Sequence, residues 1–282
     1  MPTPAPNPGL WRRVAGVFTQ TPPRSMPTVV ITGASQGIGR AVAQAYAAAS
    51  TPEASGVGGG MRLALLARSQ DNLEATAEAC RGAGATAEAF ACDVTDGAAV
   101  ERAARAVLDR FGAPDVLINN AGAFVPGAFL ETTPEAFRAQ LEVNLTSAFL
   151  VTRAFLPAML ARGESGNTAP EASGAPRHAG DVVFMASVAS VRGYPGGAAY
   201  GAAKHGLLGL ARTLREETKS RGLRVVAVLP GATRTPSWDG VDVPPHRLMP
   251  PQAIAQAVVG ATSLPPSAVV EEILIRPQQG DL

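Results

Sequence analysis

Thr28-Val29-Val30-Ile31-Thr32 runs without a break into Gly33-Ala34-Ser35-Gln36-Gly37-Ile38-Gly39, and an apolar helical pattern follows from Arg40 to Ala49. The first five residues form a continuous, β-branched apolar run, the kind of strand that is buried on both faces of a parallel sheet. Glycines at such a strand-to-helix turn let the backbone come close to a pyrophosphate, whose charge is met by the free N–H groups of the helix N-terminus. A glycine cluster alone is a weak signal. The strand before it and the helix after it give it the context of a dinucleotide fingerprint.

Outward from that turn, Thr51 to Gly60 (TPEASGVGGG) reads as a flexible surface insertion. Arg62 to Ala67 (RLALLA) reads as the second strand, closing a βαβ unit whose carboxyl end meets an adenosine ribose. A carboxylate there would bind both ribose hydroxyls and repel a 2′-phosphate. This chain has Ala67, then Arg68 and Ser69. An arginine fork suits a phosphate, so the expected cofactor is NADP(H) rather than NAD(H); the plainer alternative makes Arg68 a solvated residue at a helix start. A helix from Ser69 to about Arg81 and a strand from Ala85 to Cys92 lead to Asp93-Val94. Asp93 either accepts from an adenine amino group or caps the helix from Gly97 to Phe111. Val116 to Ile118 is a fourth strand, followed by Asn119-Asn120-Ala121-Gly122. Four successive strands thus point polar or glycine-rich ends at one crevice, where ligands of open parallel sheets bind.

A second cluster lies between Asp181 and Lys204. Asp181 to Ser187 (DVVFMAS) reads as an apolar strand ending in a hydroxyl, and the Ala- and Leu-rich segment from Ala198 has helical spacing. Tyr200 and Lys204, four apart, then share one helix face. A fixed cation beside a phenol favours the phenolate, which would make Tyr200 a general acid or base. Ser187 is placed to donate to a substrate oxygen that gains negative charge. The bland alternative is a solvated Tyr–Lys pair and a simple strand end. Of the three tyrosines, Tyr194 is the competitor, but Ala198 stands four residues on. Pro134 to Arg162 reads as one long helix carrying Asn144 among apolar neighbours. A buried amide must be hydrogen-bonded, so Asn144 either pairs with backbone or holds a water.

The 282 residues carry a net charge of +1 with no basic block, which gives no reason to expect nucleic acid or an anionic membrane as partner. No apolar run approaches the roughly 18 residues of a membrane helix. Cys80 and Cys92 lack ligand spacing and the three histidines are scattered, so no metal site is expected, and two cysteines suit a cytoplasmic protein. Residues 1–25 are Pro-rich and read as a disordered extension; Met26 stands directly before the first strand and is an alternative start. Gly163 to Gly180 reads as a mobile loop in which His178 is solvated. Arg224 to Leu229, Pro251 to Thr262 and Ala268 to Ile275 complete the pattern as strand, helix and last strand.

TGASQGIG (Thr32 to Gly39), CDV (Cys92 to Val94), NNAG (Asn119 to Gly122), Asn144, Ser187, Tyr200-x-x-x-Lys204 and Pro230-Gly231 stand in register. Their order and spacing resemble the classical short-chain dehydrogenases/reductases from about Thr28 to Pro277. The resemblance implies a single α/β domain over residues 26–282, a Rossmann-type doubly wound parallel sheet. It implies an enzyme that interconverts a small-molecule carbonyl and an alcohol by hydride transfer with NADP(H). It assigns a catalytic tetrad of Asn144, Ser187, Tyr200 and Lys204: tyrosine for the proton, serine for the substrate oxygen, lysine for the nicotinamide ribose and the tyrosine's pKa, asparagine for a relay water. Cofactor contacts implied in the same way are Gly33, Ser35, Gln36, Gly37, Ile38 and Gly39 in the first turn, then Arg68, Asp93 and Val94 at the adenosine end. Asn120, Ala121, Gly122, Tyr200 and Lys204 follow along the crevice, with Pro230, Gly231, Thr233 and Thr235 at the carboxamide. Gln36 departs from NADP-using members that carry a basic residue inside the glycine loop.

By the same resemblance Pro236 to Pro250 occupies the place of the substrate lid, and RPQQGDL lies at a subunit contact of a homodimer or homotetramer. With Phe124, Val125, Val191, Tyr194 and Trp238 nearby, the pocket should be mostly apolar. Reduction of a 3-oxoacyl thioester is the runner-up reaction. A sensor that binds NADP(H) without chemistry is disfavoured by the Tyr–Lys pair, and an epimerase or dehydratase by the TGxxxGxG spacing.

Overall fold

The computed structural model describes residues 26–49, 60–164 and 177–282. The expected N-terminal extension, nearly all of the 51–60 insertion and most of the 163–180 loop lie outside the described residues.

The strands are β1 (Thr28–Thr32), β2 (Arg62–Ala67), β3 (Thr86–Ala91), β4 (Val116–Asn119), β5 (Gly180–Met185), β6 (Leu223–Pro230) and β7 (Glu272–Ile275). They form one sheet in the order β3-β2-β1-β4-β5-β6-β7, every pairing parallel. Strand order reverses direction between β1 and β4, where a crevice must open at the carboxyl ends. All five residues of β1 are buried because helices cover both faces. Val30, Leu117, Val182 and Phe184 point to one side, against α3 (Gly97–Phe111), α5 (Ser147–Glu164) and α6 (Ala198–Thr218). Val29, Ile31, Ile118 and Val183 point to the other, against α1 (Gly37–Ala48), α2 (Gln70–Gly82) and α7 (Pro251–Thr262). The two-residue period of each strand thus feeds two separate cores. This is the doubly wound, Rossmann-type single domain expected from the sequence.

Five local expectations need correction. The stretch from Pro134 is not one regular helix: α4 (Pro134–Leu141) passes through a π turn, Glu142–Thr146, before α5 begins. A π turn holds one extra residue, and here it carries buried Asn144. The cap of α3 is Asp96, which accepts from Ala98 N at 2.9 Å, and not Asp93. The last strand is four residues rather than eight. The carbonyls of Leu264, Pro265 and Ala268 before it are taken by Arg224 Nη1 at 2.9, 3.1 and 2.9 Å instead of by a neighbouring strand. His178 is not solvated: its side chain is 15% exposed and its Nε2 lies 3.6 Å from Asp181 Oδ1. Finally, Pro134–Glu164 is apolar and long enough to match a membrane span by length and composition. It is a core helix nonetheless, with Val151, Phe155, Met159 and Leu160 packed on the sheet.

Candidate active site

The glycine turn is held by the end of β4. Thr32 Oγ1 accepts from the N–H groups of Asn120 and Ala121, both at 3.0 Å, and Asn120 Nδ2 donates to the carbonyls of Thr32 and Gly33 at 3.0 and 3.2 Å. The two strand ends on either side of the crevice are therefore cross-tied. Space there excludes side chains: a Cβ on Gly39 would lie 2.3 Å from the Gly33 oxygen and 2.5 Å from Asn120 Nδ2. Gly33 and Gly37 adopt φ of 64° and 56°, the left-handed region that glycine enters freely. Gln36 is extended at the N-cap of α1, and no side chain caps the helix. The first turn of α1 thus keeps free N–H groups beside a side-chain-free cradle, which fits a pyrophosphate.

At the adenosine end Arg68 is exposed just past β2, and its positive charge helps to lower the Asp93 carboxyl. The larger cause of that shift is local, because Asp93 Oδ1 accepts from Thr95 N at 3.0 Å and Thr95 Oγ1 at 2.8 Å. Of the two roles open to Asp93, helix capping is taken by Asp96. Val94 turns its side chain into the core, 7% exposed, so only its backbone can face a ligand.

The catalytic candidates converge from three elements. Ser187, two residues past β5, accepts from Ala189 N at 3.1 Å and hydrogen-bonds the Tyr200 hydroxyl. Tyr200 comes from the first turn of α6, and the ring of Phe124 meets it edge-on, centroids 5.1 Å apart. Lys204 is 4% exposed and donates from Nζ to Met185 O at 2.8 Å. Asn144 pairs with backbone, the first of the two alternatives: Nδ2 donates to Ala123 O at 2.8 Å and to Gln140 O at 3.0 Å, while Oδ1 accepts from Ala123 N at 3.2 Å. Gly122 joins these groups, since a Cβ on it would sit 2.7 Å from Asn144 Oδ1 and 3.6 Å from Lys204 Nζ.

Electrostatics depart from the expectation for the Tyr–Lys pair. Burial raises the Tyr200 phenol above its ordinary value of 10, only partly offset by the hydrogen bond from Ser187. Burial likewise depresses Lys204, from 10.5 to about 8. The ammonium lies 5.5 Å from the ring centroid of Tyr200 and is bound to a carbonyl, so desolvation outweighs its attraction for a phenolate.

At the end of β6, Gly231 N donates to Ile275 O at 2.7 Å. Thr233 is 4% exposed and its hydroxyl donates to Gly231 O at 2.9 Å. Thr235 faces the glycine turn, its Cγ2 3.3 Å from a Cβ position on Gly37. Two contributors escaped the sequence reading. Thr32, the first residue of the TGASQGIG motif, carries no role of its own in the sequence, and neither does Arg40, which donates to the Ser35 carbonyl and to Thr76 Oγ1 at 3.1 Å. A hydroxyl closing a β-branched strand and a cation in the first helix turn were the available signals.

A parallel doubly wound sheet with a capless glycine turn at its switch point and a Ser–Tyr–Lys cluster opposite defines a dinucleotide-dependent oxidoreductase. Residues 27–242 match the family model for short chain dehydrogenase, and the chain belongs to that family. It is 35% identical to a sepiapterin reductase of Chlorobaculum tepidum, over 90% of this chain and 97% of that one. It is 34% identical to the protein named as ketoacyl reductase 1 of the granaticin polyketide synthase of Streptomyces violaceoruber, over 76% of this chain and 71% of that one. Among solved structures, an alcohol dehydrogenase from the archaeon Thermococcus sibiricus complexed with 5-hydroxy-NADP superposes with a TM-score of 0.78 at 31% identity, covering 92% of this chain and 99% of that one.

Proposed function

We propose that this protein reduces the carbonyl group of a small molecule, and oxidises the corresponding alcohol, with NADP(H) as cofactor and Tyr200 as general acid and base. One observation carries the reading. Ser187 after β5, Tyr200 and Lys204 on α6, and Asn144 in the π turn lie close together, with Gly122 between Asn144 and Lys204. The bound nicotinamide would supply or accept hydride; Gly33 to Gly39, Gly122, Lys204 and Thr235 would hold the cofactor.

Each side chain then has a definite task. Tyr200, held protonated by burial, donates its proton to the carbonyl oxygen in the reductive direction. Ser187, whose Oγ accepts from Ala189 N and whose hydroxyl hydrogen-bonds Tyr200, would turn its O–H from Tyr200 to the same oxygen as charge develops there. Lys204 serves as the cation at the ribose side. Asn144 fixes the Ala123 backbone, and with it the strand-end loop that carries Phe124. Preference for NADP(H) rests on Arg68 at the end of β2, with Ala67 in the place of an acid, and agrees with the cofactor analogue in the Thermococcus structure.

Phe124, Val125, Val191 and Tyr194 are 37, 61, 54 and 39% exposed around the pocket mouth, which favours an apolar or weakly polar carbonyl compound. A 3-oxoacyl thioester is the second reading, favoured by the polyketide ketoacyl reductase relative. Exposed Phe129, Leu130 and Phe149 offer apolar surface for a second copy in a homodimer or homotetramer. Free, buried Cys80 and Cys92 suit a cytoplasmic location.

The test is consumption of NADPH and NADH over ketones, diketones, aldehydes, quinones and an acetoacetyl thioester, with Tyr200→Phe as the blank. Turnover of one class with NADPH, absent in the variant, is the expected result. Failure of every class despite tight NADPH binding would favour the non-catalytic sensor.

A further inference from the structure

The side chain of Asp281 gathers one cation from a distant segment and one from five residues before it, and its backbone carbonyl gathers a third from elsewhere. Its Oδ2 accepts from Arg192 Nη1 at 2.7 Å and from Arg276 Nη2 at 2.5 Å, while Oδ1 accepts from Arg276 Nε at 3.0 Å. Its backbone oxygen accepts from Arg247 Nη2 at 3.0 Å. The Asp281 side chain is 20% exposed, so this is a shielded, partly bidentate network rather than a lone surface pair.

What the three arginines belong to gives the network its meaning. Arg192 lies between Ser187 and Tyr200, beside Val191 and two residues before Tyr194. The Tyr194 ring meets Phe124 with centroids 6.2 Å apart, and Phe124 in turn meets Tyr200. Arg247 belongs to the turn Pro245–Arg247 in the segment 236–250. Arg276 directly follows Ile275, whose carbonyl holds Gly231 N at the end of β6. The aromatic wall and the β6 end therefore meet at the Asp281 carboxylate, and the 236–250 segment is tied to the backbone carbonyl of the same residue. Asp281 adds little to the core and touches none of the catalytic candidates.

We propose that Asp281 is a positioning residue: through Arg192 and Arg247 it clamps the two sides of the substrate pocket and so sets the width of its entrance, a role that rests on the carbonyl reduction proposed above. Removing the carboxylate charge frees Arg192 from the C-terminal segment, which still holds Arg247 through its backbone, and leaves Arg192 and Arg276 without a counter-ion. The pocket walls then separate, while the glycine cradle and the Ser187–Tyr200 pair stay in place.

Two measurements on the whole protein test this. In Asp281→Asn, amide hydrogen exchange should quicken in 188–196, the segment that the carboxylate ties through Arg192, and stay unchanged in 28–45. The substrate KM should rise about tenfold with kcat and the NADPH affinity within about twofold, and Asp281→Glu should restore both readouts. Arg192→Gln should raise KM alike, and adding it to Asp281→Asn should cost little more, since the two act through one contact. Unchanged exchange in 188–196 overturns the clamp, as does a loss of NADPH affinity equal to the loss of substrate affinity. If the unmodified protein reduces no carbonyl compound, the proposed reaction fails, and the exchange measurement alone still decides for or against the clamp.

Discussion

Replacing Lys204 by Met should make the protein more stable while abolishing its turnover. Lys204 is 4% exposed and its pKa falls from 10.5 to about 8, and holding it charged in that place costs about 3 kcal/mol. The variant gives up the Nζ to Met185 O hydrogen bond, worth about 1 kcal/mol. The net gain is about 2 kcal/mol near neutral pH, a rise in Tm of about 5 °C for a chain of this size. The pH dependence follows from the direction of the shift. Below pH 8 lysine is protonated in both folded and unfolded states, and the full cost is present. As pH rises from about 8 towards 10.5 the folded protein sheds the proton first, and the cost fades. By about pH 10 the gain and the lost hydrogen bond should nearly cancel. Calorimetric unfolding of both proteins across that range measures the difference directly. A variant no more stable near neutrality, or one whose advantage does not shrink with rising pH, would refute the desolvation argument. Such an exchange of stability for activity is expected of a buried charge kept for function.

Tyr200→Phe removes the only hydroxyl at the proton-donating position and should lower kcat at least about a thousandfold with NADPH affinity within about twofold; near-normal turnover would remove Tyr200 from the mechanism. Arg68→Ala should weaken NADPH by about tenfold or more and NADH little, measured by fluorescence titration, and equal losses would sink the 2′-phosphate assignment. Gly39→Ala places a methyl 2.3 Å from the Gly33 oxygen and 2.5 Å from Asn120 Nδ2. It should cost about 3 kcal/mol or more in thermal unfolding and abolish cofactor binding; an unchanged Tm would show that the cradle can yield.

The parts of this molecule that announce themselves in sequence are those whose physics is local. The β-branched run at Thr28–Thr32 can only be a buried strand, and the glycines after it need φ and space that no other residue tolerates, as the 64° of Gly33 and the crowding at Gly39 bear out. What stayed hidden depends on contacts between distant segments. The apolar run around Asn144 has helical period whether its turn is α or π, and only packing against Ala123 selects the wider turn that holds the amide. Likewise Ala268 has a strand-like neighbourhood, yet Arg224, far away in sequence, takes its carbonyl and delays the strand to Glu272. The same logic reverses the Tyr200–Lys204 argument. Four-residue spacing guarantees that the two side chains are neighbours, but whether the cation lowers the phenol depends on how much water surrounds both. In this fold Lys204 is driven down to about 8 by the same burial that raises Tyr200. The phenol of the pair therefore rests protonated, the form that the proposed role of Tyr200 as proton donor requires.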